Sequence, residues 1–147
     1  MDVNKSLPVR KRIRLSDFDY TQKAAYFVTV CTADRKPYFR DVQGTLTPIG
    51  RLTEKSIRSI PTHYANVTLD IFCIMPDHVH LILIFETNAA VSLSTVIGQF
   101  KRYVSKHAEL LLWQKSFYEH VIRNETDYQE KWQYIQNNPV RLDVSPA

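Results

Sequence analysis

Apolar positions recur along this chain with two different periods, and the switches between them mark its elements. Tyr26 to Thr32 is aromatic and β-branched, which predicts a strand, with Phe27 (or Tyr26), Val28 and Val30 turned to a core on one or both faces. Residues 33–46 are polar and turn-like. Thr47-Pro48 then signals a helix start, a cap residue followed by proline at the first helical position. Ile49, Leu52, Ile57 and Ile60 fall in one arc of that helix, Arg51, Lys55 and Arg58 lie outside it, and Pro61 is expected to end it. Val67–Ile74 and His78–Phe85 are two further strands. The Pro76-Asp77 turn between them is too short for a parallel crossover, so they form an antiparallel hairpin. From Ser92 to about His107, Leu93, Val96, Ile97, Phe100 and Val104 make a helical stripe. Trp113 to Ile122 leads irregularly into a fourth strand. Asn124 caps a last helix, with Glu125 and Asp127 in its first turn and Tyr128, Trp132 and Ile135 on its buried edge. That helix is expected to stop at Asn138, because Pro139 disfavours a helical residue before it.

The resulting order is strand, helix, strand, strand, helix, strand, helix. It predicts an α+β fold, a ferredoxin-like split βαββαβ sandwich with an antiparallel sheet, helices on one face, and an added C-terminal helix. At 147 residues and 44% hydrophobic, the chain suits one domain with a real core. Residues 1–20 read as a basic arm carrying Lys5, Arg10, Lys11, Arg12 and Arg14, and residues 21–147 as the domain. No run approaches the 18 or so apolar residues of a membrane helix, so no membrane role is expected. The net charge of +4 leans weakly toward a polyanionic partner. Cys31 and Cys73 read as small core residues in a reducing compartment, too few and too far apart for a zinc site.

Chemistry enters at His78-Val79-His80. Alternate residues of a strand share a face, so the two imidazoles point the same way, roughly 6–7 Å apart. Val79, Leu81, Leu83 and Phe85 fill the other face, and Ile82 and Ile84 extend the histidine face inward. By itself the pair is either half-buried core or a site for a divalent ion or phosphate. A histidine-triad nucleotide enzyme would need a third histidine at position 82, where this chain has isoleucine. A zinc hydrolase would need further ligands. On the last helix Tyr134 and Asn138 are four residues apart and share a face, which the helical wheel sets away from the Tyr128/Trp132/Ile135 edge.

Three segments taken together, Met75-Pro76-Asp77-His78-Val79-His80-Leu81, Phe117-Tyr118-Glu119-His120-Val121-Ile122-Arg123 and Tyr134-Ile135-Gln136-Asn137-Asn138-Pro139-Val140, resemble the signatures of single-tyrosine HUH transposases. The REP-associated tyrosine transposase branch is the most similar. The resemblance spans roughly residues 20–142. It implies His78 and His80 as metal ligands, Asn138 as the third ligand and Tyr134 as a nucleophile that forms a 5′-phosphotyrosine. The implied cofactor is Mg²⁺ or Mn²⁺, with no nucleotide cofactor. The implied partner is single-stranded DNA with a hairpin, in a bacterial, nucleoid-associated cytoplasmic setting. Relatives work as dimers or monomers, so a homodimer and a tyrosine acting in cis or in trans both stay open. A domesticated hairpin-binding protein with little catalysis is the alternative. Lys101, Arg102, Arg123, Arg12 and Arg14 are the candidate DNA contacts. His120 and Arg123 otherwise serve the structure, and Tyr103 and Tyr118 either pack or stack on unpaired bases.

Overall fold

The computed structural model describes residues 23–86 and 89–142, with side chains followed as far as Asn138. The basic arm, with Arg12 and Arg14, lies outside the described residues. Four strands, β1 (Lys23–Cys31), β2 (Val67–Ile74), β3 (His78–Glu86) and β4 (Tyr118–Ile122), form one sheet in the order β2-β3-β1-β4. Every neighbouring pair is antiparallel. This is the expected split βαββαβ arrangement, with the β1 and β3 strands at its centre.

Both faces of the sheet are covered, and the alternation of β3 shows how. Val79, Leu81, Leu83 and Phe85 join Val28 and Val30 of β1 in a core beneath α1 (Pro48–Arg58) and α3 (Leu93–Ala108), with Ile57, Val96, Ile97, Phe100 and Val104. Ile82 and Ile84 point the other way, with Ala25, Phe27, Cys73 and Ile122, onto Tyr128, Trp132 and Ile135 of α4 (Glu125–Leu142). The expectation of helices on one face holds for α1 and α3, and α4 is the exception. The second apolar row of β3 and β1 needs a cover, and α4 supplies it.

Local signals explain the elements. Thr47 caps α1 by accepting from the Gly50 amide at 3.0 Å. Gly50 itself is required: a Cβ there would sit 2.2 Å from the Phe39 carbonyl oxygen. Ser92 accepts from the Thr95 amide at 3.1 Å to start α3, and Asn124 accepts from the Asp127 amide at 2.8 Å to start α4. In β2 the register slips between Leu69 and Ile71. The bulge leaves Leu69 packed against the first core and Ile71 and Cys73 with the second. Tyr128, fully buried, donates to Asp70 Oδ2 at 2.5 Å and ties α4 to the bulge.

Proline is misread twice by the sequence reading. The first helix stops at Arg58, and Pro61 sits in the opening turn of a short α2 (Ile60–His63), where its missing N–H costs nothing. The last helix runs through Pro139 to Leu142. A proline removes one hydrogen bond and biases its predecessor, but a helix already packed along its length can carry it.

Candidate active site

The Pro76-Asp77 turn aims the histidines. The Met75 amide donates to the His78 carbonyl at 2.8 Å and closes the hairpin. The Thr32 amide, at 3.0 Å, and its hydroxyl, at 3.2 Å, both donate to the Asp77 carbonyl, and the Phe39 amide donates to the Pro76 carbonyl at 3.0 Å. The two rings converge, their centroids only 4.6 Å apart. That is closer than the strand repeat suggests, because side chains lean where Cα positions do not.

Each ring is held through its Nδ1. His78 Nδ1 lies 2.7 Å from Asp77 Oδ1. A carboxylate only accepts, so that nitrogen carries the proton and Nε2 presents its lone pair. His80 Nδ1 lies 2.9 Å from Thr29 Oγ1, and its ring stacks on Phe27 with centroids 5.3 Å apart. His80 is 5% exposed, and its Nε2 is buried without a hydrogen-bond partner. Burial, then the neighbouring His78 and Arg35, push its pKa down to about 4, so the ring is neutral near pH 7.

The structure brings Tyr134 to this pair within the same chain. Its ring centroid is 5.1 Å from that of His80 and 6.2 Å from that of Phe27. Tyr134 is 45% exposed, at the mouth of a cavity of about 400 Å³ lined by Phe27, Thr29, His80, Glu130, Lys131 and Tyr134. Asn138 corrects the helical-wheel reading. It is 3% exposed and belongs to the buried side of α4, its Nδ2 4.0 Å from Cys73 Sγ. Cys73 is the register partner of His80, so the carboxamide comes down beside the histidine row rather than beside the exposed phenol.

The donor set fits a divalent ion with open positions. An unsatisfied buried imidazole nitrogen costs free energy that a metal would recover. Among the described residues no three His, Cys, Asp or Glu side chains gather into a metal cluster, so His78 and His80 alone would not complete a site. Cys73 is no competitor, because burial above all pushes its thiol up to about 11 and keeps it protonated.

Two of the other candidates, Lys101 and Arg102, fall away from this face, whereas His120 and Tyr118 share it as the register partners of Phe27 and Thr29. Lys101 spends its ammonium on the carbonyls of Gln114 and Ser116, at 2.8 and 3.3 Å, and Arg102 is exposed on α3. Both ride the helix that covers the opposite side of the sheet. Arg123 is exposed between β4 and α4. His120 has a structural partner, its Nε2 lying 2.7 Å from Asp127 Oδ2. Tyr103 and Tyr118 are 42% and 56% exposed, so neither is simply packed, and only Tyr118 stands near the site, 6.4 Å from Phe27.

Four residues escaped the sequence reading. Thr29 and Asp77 hold the rings. Arg35 forks onto Asp77 at 3.1 and 3.3 Å. Lys131, three residues before Tyr134 and so on its face, lines the cavity with its Nζ 2.9 Å from Asp127 Oδ1. That spacing was a readable signal for Lys131. Nothing in the sequence linked Thr29 or Arg35 to a strand some 50 residues away.

A split βαββαβ sheet that sets paired histidines against a helix-borne tyrosine narrows the class of protein. Sequence comparison says which: residues 20–138 match the family model described as "Transposase IS200 like", and the chain belongs to that family. A Haemophilus influenzae protein provisionally named a REP-associated tyrosine transposase is 30% identical, over 84% of this chain and 74% of its own. A second protein of that organism, uncharacterised, is 27% identical over 93% of this chain and 92% of its own. In fold, the chain is similar to a REP-associated tyrosine transposase solved bound to a REP hairpin (TM-score 0.65, 22% identity, 91% of this chain and 72% of that one). It is also similar to a Deinococcus radiodurans structure provisionally designated a transposase (TM-score 0.55, 22% identity, 87% and 97% covered).

Proposed function

We propose that this protein is a metal-dependent DNA strand transferase that cuts and rejoins single-stranded DNA beside a hairpin through Tyr134. The observation that carries the reading is the buried, unpartnered Nε2 of His80, on a ring whose centroid lies 5.1 Å from that of Tyr134. His78 and His80 would hold Mg²⁺ or Mn²⁺ through their Nε2 atoms, with Asn138 as the third ligand that the motif resemblance implies. When bound, the ion would polarise a non-bridging phosphate oxygen and offset charge in the transition state. Imidazole ligands favour Mn²⁺ over Mg²⁺ by preference.

The chain's own residues supply the rest. Tyr134 Oη attacks the phosphorus and the 3′-oxygen of the preceding nucleotide leaves, giving a 5′-phosphotyrosine. The phosphodiester's energy is retained, so a free 3′-hydroxyl reverses the step and joins a strand. Phe27 and the strand floor position the ring, and Lys131 brings a cation to the same cavity, where a phosphate would sit. The half-exposed phenol lets DNA reach it, and the cis approach to His80 needs no partner copy. The hairpin preference rests on the name of the structural relative and on the resemblance of the three motifs.

The test incubates protein and Mn²⁺ with a labelled single-stranded hairpin substrate. Wild type should form a covalent protein–DNA adduct, and Tyr134→Phe should form at least about a thousandfold less while still binding the hairpin. An adduct that persists in the variant rejects Tyr134. Binding without any adduct in wild type favours the hairpin-binding alternative.

A further inference from the structure

We propose that Arg35 and Asp77 form a positioning device that fixes the tautomer and direction of His78, with the loop from Thr32 to Lys36 as its frame. The loop is built at a cost. Asp34 and Arg35 both have left-handed backbone, at φ 56° and 55°. Aspartate tolerates that region, but arginine gains nothing from it. Strain of this kind persists only where the surroundings enforce it. Here they do. Thr32, fully buried, donates its hydroxyl to the Lys36 carbonyl at 2.8 Å and to the Asp77 carbonyl at 3.2 Å, pinning the loop to the turn before His78.

The strained turn delivers the Arg35 side chain to one place. Its Nε and Nη2 fork onto the two oxygens of Asp77, at 3.1 and 3.3 Å. A planar fork locks the plane of a carboxylate, which a lysine would not. The locked carboxylate accepts a hydrogen bond from the His78 Nδ1–H at 2.7 Å. Arg35 Nη2 also lies 3.3 Å from His78 Nδ1. Both are donors, so this approach is not a hydrogen bond. It records two donors converging on one carboxylate. The chain of contacts therefore runs from backbone strain to guanidinium, to carboxylate, to the free Nε2 of His78. Arg35 and Asp77 are positioning residues and touch neither phosphate nor metal in this role.

The consequence for metal binding rests on the function proposed above, but the tautomer does not. The experiment therefore has two arms. Long-range ¹H–¹⁵N correlation spectra of metal-free protein should show His78 protonated at Nδ1. Asp77→Ala should shift it toward the Nε2–H form, Asp77→Asn should retain Nδ1–H, and Arg35→Lys should give exchange-broadened or mixed signals. The second arm counts free Mn²⁺ by electron paramagnetic resonance. Asp77→Ala should weaken Mn²⁺ binding about 10-fold or more, and Arg35→Gln and Arg35→Lys by a smaller factor in the same direction. Hairpin binding in EDTA should stay within twofold of wild type in all of them, which also reports on folding. An unchanged His78 tautomer in Asp77→Ala overturns the positioning role whatever the metal does. Wild-type Mn²⁺ affinity in Asp77→Ala and Arg35→Gln, with loss in His80→Ala, overturns its consequence while sparing the metal site. If Arg35→Gln impairs only hairpin binding in EDTA, Arg35 is a phosphate contact and the positioning role is wrong. Mn²⁺ binding that survives His80→Ala overturns the metal reading, leaving the tautomer arm to decide on Asp77.

Discussion

The two faces of the sheet are made by the same strands and have opposite characters. Under α1 and α3, every inward residue of β3 is apolar: Val79, Leu81, Leu83 and Phe85 are at most 6% exposed. Under α4 the row begins His78, His80 and only then becomes Ile82, Ile84. The closed face is a sealed core, and the other is a core at one end and a site at the other. The second face can leave a polar nitrogen of His80 unsatisfied because the first supplies the stability. A single strand thus separates folding from chemistry by parity, one residue apart.

The comparison can be broken by mutation. Leu81→Ala, on the closed face, should destabilise the protein by about 2–5 kcal/mol, read from urea unfolding, because the cavity is sealed by packed neighbours. Mn²⁺ affinity of the fraction that remains folded should be unchanged. A cost under 1 kcal/mol would mean that the closed face is not the principal core.

On the open face, pH should reveal what Leu81 cannot. The folded-state pKa of His80, about 4, is below the 6.5 of an ordinary histidine. The unfolded chain therefore takes up this proton first as pH falls. The stability contribution is complete above about pH 6.5 and is lost progressively as pH falls through 4, on the order of 3 kcal/mol in all. Asp77 and Asp127 have lowered pKa values, so their losses begin nearer their ordinary 3.8 and below. Urea midpoints of metal-free protein at pH 7 and pH 4.5 should differ in wild type and differ less in His80→Leu. Equal differences in both proteins would show that His80 is not held neutral by the fold.

A smaller effect probes how α4 is fastened over the site. Tyr128→Phe removes the hydroxyl that donates to Asp70 at the β2 bulge. It should cost about 1–2 kcal/mol of unfolding free energy. It should also reduce adduct yield more than that loss of folded protein explains, because α4 carries Tyr134. A proportionate loss of both would make the contact purely structural.

Much of this division was legible in the sequence, for a physical reason. Period-two alternation reports faces directly, so the two rows of β3 could be assigned from His78 to Phe85 before any coordinates. Caps at Thr47 and Asn124 were equally plain, because each uses a local hydrogen bond. What alternation could not say is which helix covers which row, and the placement of α4 on the second face was missed. Asn138 was read as sharing an exposed face with Tyr134. A wheel gives angles, whereas the depth of a side chain depends on what the helix packs against. The proline errors at 61 and 139 have the same origin, since tertiary packing decides whether a local bias becomes a stop. Thr29, Arg35 and Asp77 act through contacts distant in sequence or through backbone strain, neither of which has a period to detect.

The central claim is that the residue facing the histidine row is the one that bonds to DNA. Its most direct test is peptide mapping by mass spectrometry of the adduct formed by wild-type protein with Mn²⁺ and a single-stranded hairpin oligonucleotide. The account predicts a nucleotide 5′-phosphate on Tyr134. A phosphate on any other residue, Tyr118 and Tyr103 being the exposed rivals, would contradict it.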